Sequence, residues 1–442
     1  MTGVSRAVAV RREEVACATM PGMSTPSARD RYDVLVVGAG PAGSSAAYWL
    51  ASSGHRVLIV EKKVFPREKT CGDGLTPRSV KQLVDMGLEG PLSEFHRYDG
   101  LRSIAHGVTM ELKWPDHSEF PDHGYVVRRR DLDEMVANRA VEAGATLWQG
   151  AEALEPVLDG GIVTGAAIKH KATGEVERVS ARYIVVADGS NSRFGRALGT
   201  RRDRSYPLGM AVRGYYRSPL HDDPWIESHL DIVDRDGAHL PGYGWIFPLG
   251  DGRVNVGVGL LSTFSGWKDI NTSRLMDTFV DVAPNYWGLS PEAAEGPVTG
   301  GKLPTGGSVT PNVGPTWIVA GDASGSINPF NGEGIAYGYE TGRLAAGVVD
   351  RALTSGDGLA LQTYPDLLAE TYGLYYKVAR LFVRAIGNPA VMRELTRVGM
   401  QSRTLMEWVL RIMANLLRPD ELGPAEAAYA MVERIVALAP EP

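Results

Sequence analysis

The chain is poor in cysteine, in long apolar runs and in net positive charge. Two cysteines, Cys17 and Cys71, occur among 442 residues, which argues against a disulfide scaffold and is typical of a protein of the reducing cytoplasm. No run of 18 apolar residues is present, so we expect no membrane-spanning helix. The net charge of −6 gives no reason to expect a nucleic-acid partner. No metal site is predicted either.

The most informative motif is a glycine-rich turn that follows an apolar strand. Three glycines have the spacing of a dinucleotide-binding turn: Gly38, Gly40 and Gly43. The first permits the tight turn, the second lets the backbone approach a pyrophosphate, and the third lets the next helix pack closely on the sheet. Glu61 ends the following apolar run, 21 residues after Gly40, where a carboxylate binds an adenosine ribose. These features together predict a dinucleotide-binding βαβ unit over residues 32–62.

Two further turns place a carboxylate at the end of an apolar strand. Asp188-Gly189 follows the strand predicted for 179–186, and Gly321-Asp322 follows the one predicted for 317–320. Either pair alone is most often an ordinary turn. Ten residues after the second pair, Gly332-Glu333-Gly334 opens a predicted helix, whose N-terminus favours negative charge.

The order of these patterns predicts an α/β fold: a doubly wound, Rossmann-like domain with an inserted antiparallel β domain and a C-terminal helical region. We expect the nucleotide-binding domain in parts 32–95, 128–203 and 301–355, the inserted domain in parts 96–127 and 204–300, and the helical region over 356–442. Residues 1–31 have no usable hydrophobic period and are expected to be a disordered leader, with Met20 and Met23 as alternative starts.

The C-terminal region combines a basic excess with an apolar stripe. Residues 377–418 contain eight basic and two acidic residues, a net charge of +6. An apolar stripe recurs at helical spacing: Leu395, Val398, Ser402, Leu405, Val409, Ile412 and Leu416. A basic amphipathic helix suits an anionic membrane surface, and the alternative is a helix that packs on its own protein. The expected location is therefore cytoplasmic, with a peripheral position on the inner face of the membrane as one interpretation.

Two longer stretches carry a resemblance to a known family. Residues 66–77 read Pro-Arg-Glu-Lys-Thr-Cys-Gly-Asp-Gly-Leu-Thr-Pro, and residues 241–248 read Pro-Gly-Tyr-Gly-Trp-Ile-Phe-Pro. With the glycine-rich turn and the two carboxylate turns, they resemble the geranylgeranyl reductase family, within the flavoproteins typified by p-hydroxybenzoate hydroxylase. The chain is most similar to the members that saturate one isoprene unit in the tail of menaquinone. The resemblance covers about residues 32–355 and extends to the helical tail.

The resemblance implies an FAD-dependent reductase of C=C bonds in a polyprenyl lipid. The residues implied in non-covalent FAD binding are Gly38, Gly40, Ala42, Gly43, Glu61, Lys62, Arg129, Asp188, Gly321, Asp322, Pro329, Gly332, Gly334 and Ile335. Arg128 or Arg130 is an alternative to Arg129. No second glycine fingerprint follows a strand, so we expect NAD(P)H or another electron donor to bind transiently.

The candidate groups for catalysis and substrate binding are the aromatic side chains of one strand and one cysteine. Tyr243, Trp245 and Phe247 alternate, so their rings point to one face of a strand, and we expect them, with Pro248, to bind the prenyl chain. Protonation of an isolated alkene builds carbocation character, which the aromatic faces of Tyr243 and Trp245 stabilise. Without the resemblance, the same pattern indicates an ordinary half-buried sheet face. Cys71 donates a proton, hydrogen-bonds the flavin, or only fills space.

Three other functions remain as alternatives. An aromatic-ring monooxygenase and a flavin-dependent halogenase use the same nucleotide motifs, although the halogenase stretch reads Trp-x-Trp-x-Ile-Pro where residues 243–248 have Tyr and Phe-Pro. The third is a non-catalytic flavin-binding or membrane-scaffolding protein.

Overall fold

The computed structural model describes residues 32–418 and 423–438. The leader expected over residues 1–31, with Cys17, lies outside them. The strands are β1 Tyr32–Val37, β2 Val57–Glu61, β3 Gly74–Leu75, β4 His96–Tyr98, β5 Gly100–Ala105, β6 Val108–Lys113, β7 Gly124–Val126, β8 Thr146–Gln149, β9 Ala151–Asp159, β10 Ile162–His170, β11 Val176–Val186, β12 Arg201–Arg202, β13 Leu208–Arg217, β14 Trp225–His229, β15 Gly242–Pro248, β16 Arg253–Leu261, β17 Ala294–Pro304, β18 Val309–Thr310 and β19 Trp317–Val319.

The helices are α1 Pro41–Ser52, α2 Pro77–Asp85, α3 Glu89–Leu92, α4 Arg129–Glu142, α5 Arg193–Ala197, α6 Thr272–Val282, α7 Ile335–Ser355, α8 Tyr364–Leu368, α9 Leu374–Ile386, α10 Pro389–Gly399, α11 Arg403–Met413 and α12 Pro424–Leu438.

The first large sheet has the order β8-β2-β1-β11-β10-β9, and β19 pairs with the end of β11. Strands β8, β2, β1, β11 and β19 run parallel, whereas β10 and β9 add an antiparallel edge. All five residues of β2 are buried, as expected of a parallel sheet covered on both faces. Helices α1 and α7 pack together on one face. The predicted fold class is therefore confirmed.

The second large sheet has the order β17-β13-β16-β15-β14-β5-β6. Its pairs are antiparallel except β14 with β5. Helix α6 covers one face, where the ring of Phe279 lies against Gly244. The opposite face meets the loop that carries Cys71, because Phe247 packs against Gly72 and Gly74. The site lies between this inner face and the first sheet.

The C-terminal helices differ from the predicted stripe in two ways. The stripe is not continuous, because the chain leaves the helix after α10 and the hydroxyl of Ser402 caps α11 by accepting a hydrogen bond from Leu405 N. Leu395 and Val398 are exposed, whereas Leu416 is buried. The basic surface is also smaller than predicted, since Lys377 and Arg380 are buried. Among the described helices, none combines the length and apolarity that a membrane crossing requires.

Candidate functional site

The glycine-rich turn forms a closely packed junction between β1, α1 and β11. Gly38 has φ +100°, and a Cβ there would lie 2.5 Å from the carbonyl oxygen of Ala187. A Cβ at Gly43 would overlap the carbonyl oxygen of Gly38. Only glycine fits either position, because Gly38 combines a positive φ with a missing Cβ and Gly43 leaves no space for a Cβ. The turn thus keeps the start of α1 open toward a ligand.

Glu61 holds this turn from the neighbouring strand. Its carboxylate accepts hydrogen bonds from Ala39 N at 3.1 Å and from Lys63 N at 3.0 Å. A carboxylate has about four acceptor positions, so capacity remains for a ribose hydroxyl. Ala42 is buried in the first turn of α1, whereas Lys62 is exposed beyond the end of β2. The structure therefore brings Ala42 and Glu61 to the turn but leaves the side chain of Lys62 in solvent.

Two guanidinium groups converge above Gly40. A Cβ at Gly40 would lie 3.9 Å from Nη2 of both Arg129 and Arg67. Arg129 donates to both oxygens of buried Asp133 at 2.7 Å, and Arg67 Nη1 pairs with the same carboxylate at 2.9 Å. Nε of Arg67 is buried without a hydrogen-bond partner among the described residues. This pair suits a pyrophosphate lying over the turn.

Arg67 was missed by the sequence reasoning. It stands in the quoted stretch 66–77, but nothing in that stretch predicts that its side chain returns to the glycine-rich turn. The side chain of Arg129, at the start of α4, lies beside the glycine-rich turn, whereas Arg130 is more exposed and directed toward Glu68.

The remaining nucleotide motifs lie around the same edge of the first sheet. Gly321 has φ +65°, and its N–H donates to the Thr341 hydroxyl at 3.0 Å. Burial raises the pKa of Asp322, whose Oδ1 would lie 3.2 Å from a Cβ at Gly334. Buried Pro329 and the positive-φ Gly332 form the turn that leads to Ile335, the first residue of α7.

Asp188 stands at the end of β11, beside the glycine-rich turn. Its Oδ2 accepts a hydrogen bond from Phe194 N at 3.1 Å, whereas its Oδ1 is buried without a partner among the described residues. Burial raises the pKa of this carboxyl. Such an unpaired buried oxygen needs a partner, and a bound nucleotide provides hydroxyl donors. The glycine turn, the two guanidinium groups and these carboxylates therefore fit FAD.

The inner face of the second sheet includes three rows of residues that lie directly opposite one another. The rows are Tyr243-Gly259-Ala211-Gly301, Trp245-Gly257-Arg213-Thr299 and Phe247-Asn255-Tyr215. Opposite residues of an antiparallel pair share a face, so the three rings stand side by side on β15. Their centroids lie 5.8 Å apart for Tyr243 and Trp245 and 6.3 Å apart for Trp245 and Phe247.

This aromatic row contacts two loops, the turn that opens α7 and the loop that carries Cys71. The Tyr243 hydroxyl donates to the carbonyl oxygen of Asn331 at 2.7 Å, next to the turn that opens α7. Phe247 packs on the glycines that flank Asp73. Pro248 follows Phe247 on β15 and therefore lies on the opposite face, opposite Val254 in the α6-covered core. The structure thus brings the three rings to the site and does not bring Pro248 there.

A buried polar network holds the Cys71 loop against the aromatic row. Asp73, with φ +66°, accepts hydrogen bonds from the Tyr215 hydroxyl at 2.6 Å and from Asn255 Nδ2 at 2.8 Å. The same Nδ2 lies 2.9 Å from the carbonyl oxygen of Cys71, and Asn255 Oδ1 accepts from Trp245 Nε1 at 3.0 Å. Burial raises the pKa of Asp73 to about 6.

Sequence reasoning assigned no role to this network, although one signal was present. Asn255 is a polar residue in the apolar stretch Val-Asn-Val of β16, and alternation places it on the face of Tyr215 and Phe247. An isolated polar residue on an inward face requires a buried partner. Its partner Asp73 lies 182 residues away, so the pairing itself was not predictable.

Two further groups of this site, Cys71 and Glu333, have raised pKa values. Burial raises the pKa of the Cys71 thiol, although the charge of Arg129 opposes the shift, so the thiol stays protonated near neutrality. Burial also raises the pKa of Glu333 to about 7. Glu333 Oε1 accepts hydrogen bonds from the hydroxyls of Thr76 and Ser79, whereas its Oε2 is buried and unpaired among the described residues.

A dinucleotide-binding sheet whose loops face an aromatic strand of a second sheet is typical of an FAD-dependent flavoprotein. The family model for the FAD binding domain matches residues 31–213. Menaquinone reductase of Mycobacterium tuberculosis (strain H37Rv) is 42% identical over 395 residues, which cover 89% of this chain and 94% of that protein. Digeranylgeranylglycerophospholipid reductase 2 of Methanopyrus kandleri is 32% identical over 354 residues, 79% of this chain and 85% of that protein.

A solved structure has the same fold over most of its length. The crystal structure of a geranylgeranyl bacteriochlorophyll reductase-like protein from Thermoplasma acidophilum matches with a TM-score of 0.73 at 24% identity, covering 91% of this chain and 99% of that one. With the two relatives above, the resemblance predicted from the motifs is confirmed. The chain belongs to the geranylgeranyl reductase family of FAD-dependent oxidoreductases.

Proposed function

We propose that this protein uses FAD to saturate a C=C bond in the isoprenoid tail of menaquinone. The observation that carries the proposal is the aromatic row Tyr243-Trp245-Phe247, which lies between the Cys71 loop and the turn that opens α7. The relative at 42% identity is named a menaquinone reductase, and this favours the quinone tail over a geranylgeranyl phospholipid.

The chemistry requires a hydride and a proton at an alkene that no carbonyl activates. Bound at this site, reduced FAD supplies the hydride. Addition of the proton builds positive charge on the tertiary carbon, and aromatic faces within about 6 Å stabilise such charge. Tyr243 and Trp245 present those faces. Trp245 is 5% exposed, so the row also keeps water away from the charged carbon.

Cys71 is the proposed proton donor. Its raised pKa keeps the proton on Sγ near neutral pH, and its loop is held by Asn255 against the aromatic row. Cys71→Ala then lowers the turnover of lipid by at least tenfold, because general acid catalysis contributes roughly 10²–10⁴-fold, whereas FAD content stays unchanged. Full turnover in both Cys71→Ala and Cys71→Ser would show that the thiol is not the acid.

The experiment that tests the function is anaerobic. The FAD-loaded protein is reduced with dithionite, and menaquinone or geranylgeranyl phospholipid is added separately. The expected result is reoxidation of the flavin by menaquinone with a mass gain of two hydrogens in the lipid. A reduced flavin that ignores every lipid but reoxidises rapidly in air would instead indicate the aromatic monooxygenase.

The C-terminal helices are proposed to hold the protein on the inner face of an anionic membrane. Two helices present apolar side chains to solvent: Val391, Leu395 and Val398 on α10, and Met431, Ile435 and Leu438 on α12. Arg393 and Arg397 are exposed on α10 as well. Buried apolar area and attraction to anionic lipids together drive such binding.

Point variants test the membrane proposal better than removal of the helices. The carbonyl oxygen of Met413 accepts hydrogen bonds from Asn328 and Asn331 in the turn that opens α7. Deletion of α11 would therefore disturb the proposed active site. Replacement of both Leu395 and Val398 by Ser is expected to weaken co-sedimentation with anionic vesicles. The control is Leu158→Ser, at an exposed position of β9, and equal binding by all three proteins would contradict the proposal.

A further inference from the structure

The inner face carries one buried cation that the proposed chemistry does not use. Arg213, on β13, is 4% exposed. Its Nε makes no hydrogen bond to any residue in 32–418 or 423–438, and its Nη2 reaches a carboxylate only at 3.6 Å, that of Glu68. A buried guanidinium normally has short, charge-assisted hydrogen bonds. Arg213 therefore has unused donors on the inner face of the sheet.

A second unpaired polar atom lies directly opposite. Thr299, on the edge strand β17, is the register partner of Arg213, and its hydroxyl is buried without a partner among the described residues. Such a pair of opposite side chains has Cβ atoms about 4.5–5.5 Å apart. One anionic group can thus accept hydrogen bonds from both side chains.

The space beside this pair is open. Gly301 is the register partner of Ala211 in the next row, and a Cβ added at Gly301 would meet no atom within 4 Å. The row therefore changes from an aromatic ring at Tyr243 to small residues at its β17 end. The aromatic row on β15 and the guanidinium of Arg213 on β13 therefore lie on the same face of the sheet, two strands apart.

The groups that face Arg213 leave its Nε without a hydrogen bond among the described residues. The Tyr215 ring lies 4.2 Å from the guanidinium carbon, and the charge of Arg213 acts on Asp73 across the same space. Glu68 is 57% exposed and is shared with Arg130 at 4.0 Å. Since Glu68 is weakly held and solvated, an incoming anion can displace it.

We propose that Arg213 and Thr299 bind a phosphoryl group of the electron donor, a reduced nicotinamide dinucleotide that docks transiently on the inner face. The inference rests on the proposed reductase function, which requires a hydride donor for the flavin. The sequence contains one strand-linked dinucleotide fingerprint, which FAD uses, so the donor has no Rossmann domain of its own. Menaquinone carries no phosphate, which leaves the donor as the phosphorylated reactant.

The overall reaction balances with this donor. The dihydronicotinamide loses one hydride and becomes the oxidised nicotinamide, and its two electrons would reach the lipid through bound FAD. The lipid gains that hydride equivalent and one proton, and its C=C bond becomes a C–C bond. No further oxidant or reductant is required.

The test follows reduction of the FAD-loaded enzyme by NADPH in anaerobic stopped flow, without lipid. Arg213→Met is expected to raise the half-saturating NADPH concentration at least tenfold, because it removes a charge-assisted hydrogen bond to the phosphoryl group. The limiting rate of flavin reduction should stay within twofold. Arg217→Met, the same change at an exposed position of β13, is the matched control and should behave as the unsubstituted protein.

Two further measurements keep the proposal falsifiable if Arg213→Met does not fold. Glu68→Gln, at an exposed position, removes the competing carboxylate and should lower the half-saturating NADPH concentration. Inorganic pyrophosphate should bind the oxidised holoenzyme in calorimetry, and more weakly after Thr299→Val. Unchanged NADPH saturation in both Arg213→Met and Glu68→Gln, or no binding of pyrophosphate, would overturn the proposal.

Two other outcomes would also overturn it, and each identifies what Arg213 does instead. Loss of FAD or a shifted flavin reduction potential in Arg213→Met would assign the guanidinium to the cofactor. A defect confined to reoxidation of dithionite-reduced enzyme by a geranylgeranyl phospholipid would assign the phosphoryl site to a lipid headgroup. Reoxidation by menaquinone tests the proposed function independently, since dithionite bypasses the donor site.

Discussion

Replacement of Gly257 by alanine is the sharpest test of the aromatic row. Gly257 lies on β16 directly beneath Trp245, and an added Cβ would lie 2.5 Å from indole Cε2 and 2.6 Å from Cη2. Carbon atoms in favourable contact are about 3.5–4.0 Å apart. The indole of Trp245 must therefore withdraw by about 1 Å or more, since the methyl group is fixed to the strand.

Withdrawal of the indole affects both stability and catalysis. It breaks the 3.0 Å hydrogen bond from Trp245 Nε1 to Asn255 Oδ1, and an unpaired buried acceptor costs roughly 1–3 kcal/mol. Overpacking adds roughly 1–3 kcal/mol. We expect a lower melting temperature and at least a tenfold loss of lipid-dependent flavin reoxidation, with normal FAD content because the change is remote from the nucleotide motifs.

Gly259→Ala is the matched control on the same strand and face. Its added Cβ would lie 3.7 Å from the Met210 carbonyl oxygen and 3.8 Å from Trp245 Cζ3, which are ordinary contacts. Melting temperature, near-ultraviolet circular dichroism and anaerobic reoxidation by menaquinone are measured on both variants. Equal behaviour of Gly257→Ala and Gly259→Ala would refute the positioning of Trp245 described above.

Two further predictions concern the buried charges. The folded-state pKa of Asp73 is about 6, against 3.8 for an unperturbed carboxyl, so the folded state holds this proton longer and stability is lost as pH rises from about 4 through 6. Between pH 5 and 7 the free energy of unfolding of the unsubstituted protein should fall by about 1 kcal/mol relative to that of Asp73→Asn. The melting temperatures of both proteins over this pH range check this, and parallel profiles would contradict the buried charge. Arg67→Met removes a guanidinium above Gly40 and should lower the FAD retained after gel filtration, whereas exposed Arg97→Met should retain it fully. Equal retention would show that Arg67 does not bind the pyrophosphate.

Local patterns predicted those parts of the site that depend on backbone geometry. The strand, glycine turn and helix over 34–51 follow from residues that are neighbours in sequence, since positive φ and close packing select glycine. The helix expected at 128–145 is α4, Arg129–Glu142, and the strand expected at 317–320 is β19. Alternation likewise placed the three rings of β15 on one face.

Patterns of this kind failed where a distant partner decided the outcome. The stripe in the tail predicted one apolar surface, but it is interrupted where Ser402 begins a new helix. Two of its basic neighbours, Lys377 and Arg380, are buried by the rest of the chain. Periodicity reports which residues share a helix face, but not what covers that face.

The sequence by itself determined the nucleotide-binding unit, the family and the aromatic strand, because each depends on spacing within a short segment. Only the tertiary structure brought Arg67 and Arg129 together above Gly40 and joined Asp73 to Tyr215 and Asn255. These groups come from segments up to 182 residues apart. The pairing of Asp73 with Tyr215 and Asn255 follows from the register of β13 and β16 and from burial, which makes a polar partner obligatory without specifying it in the sequence.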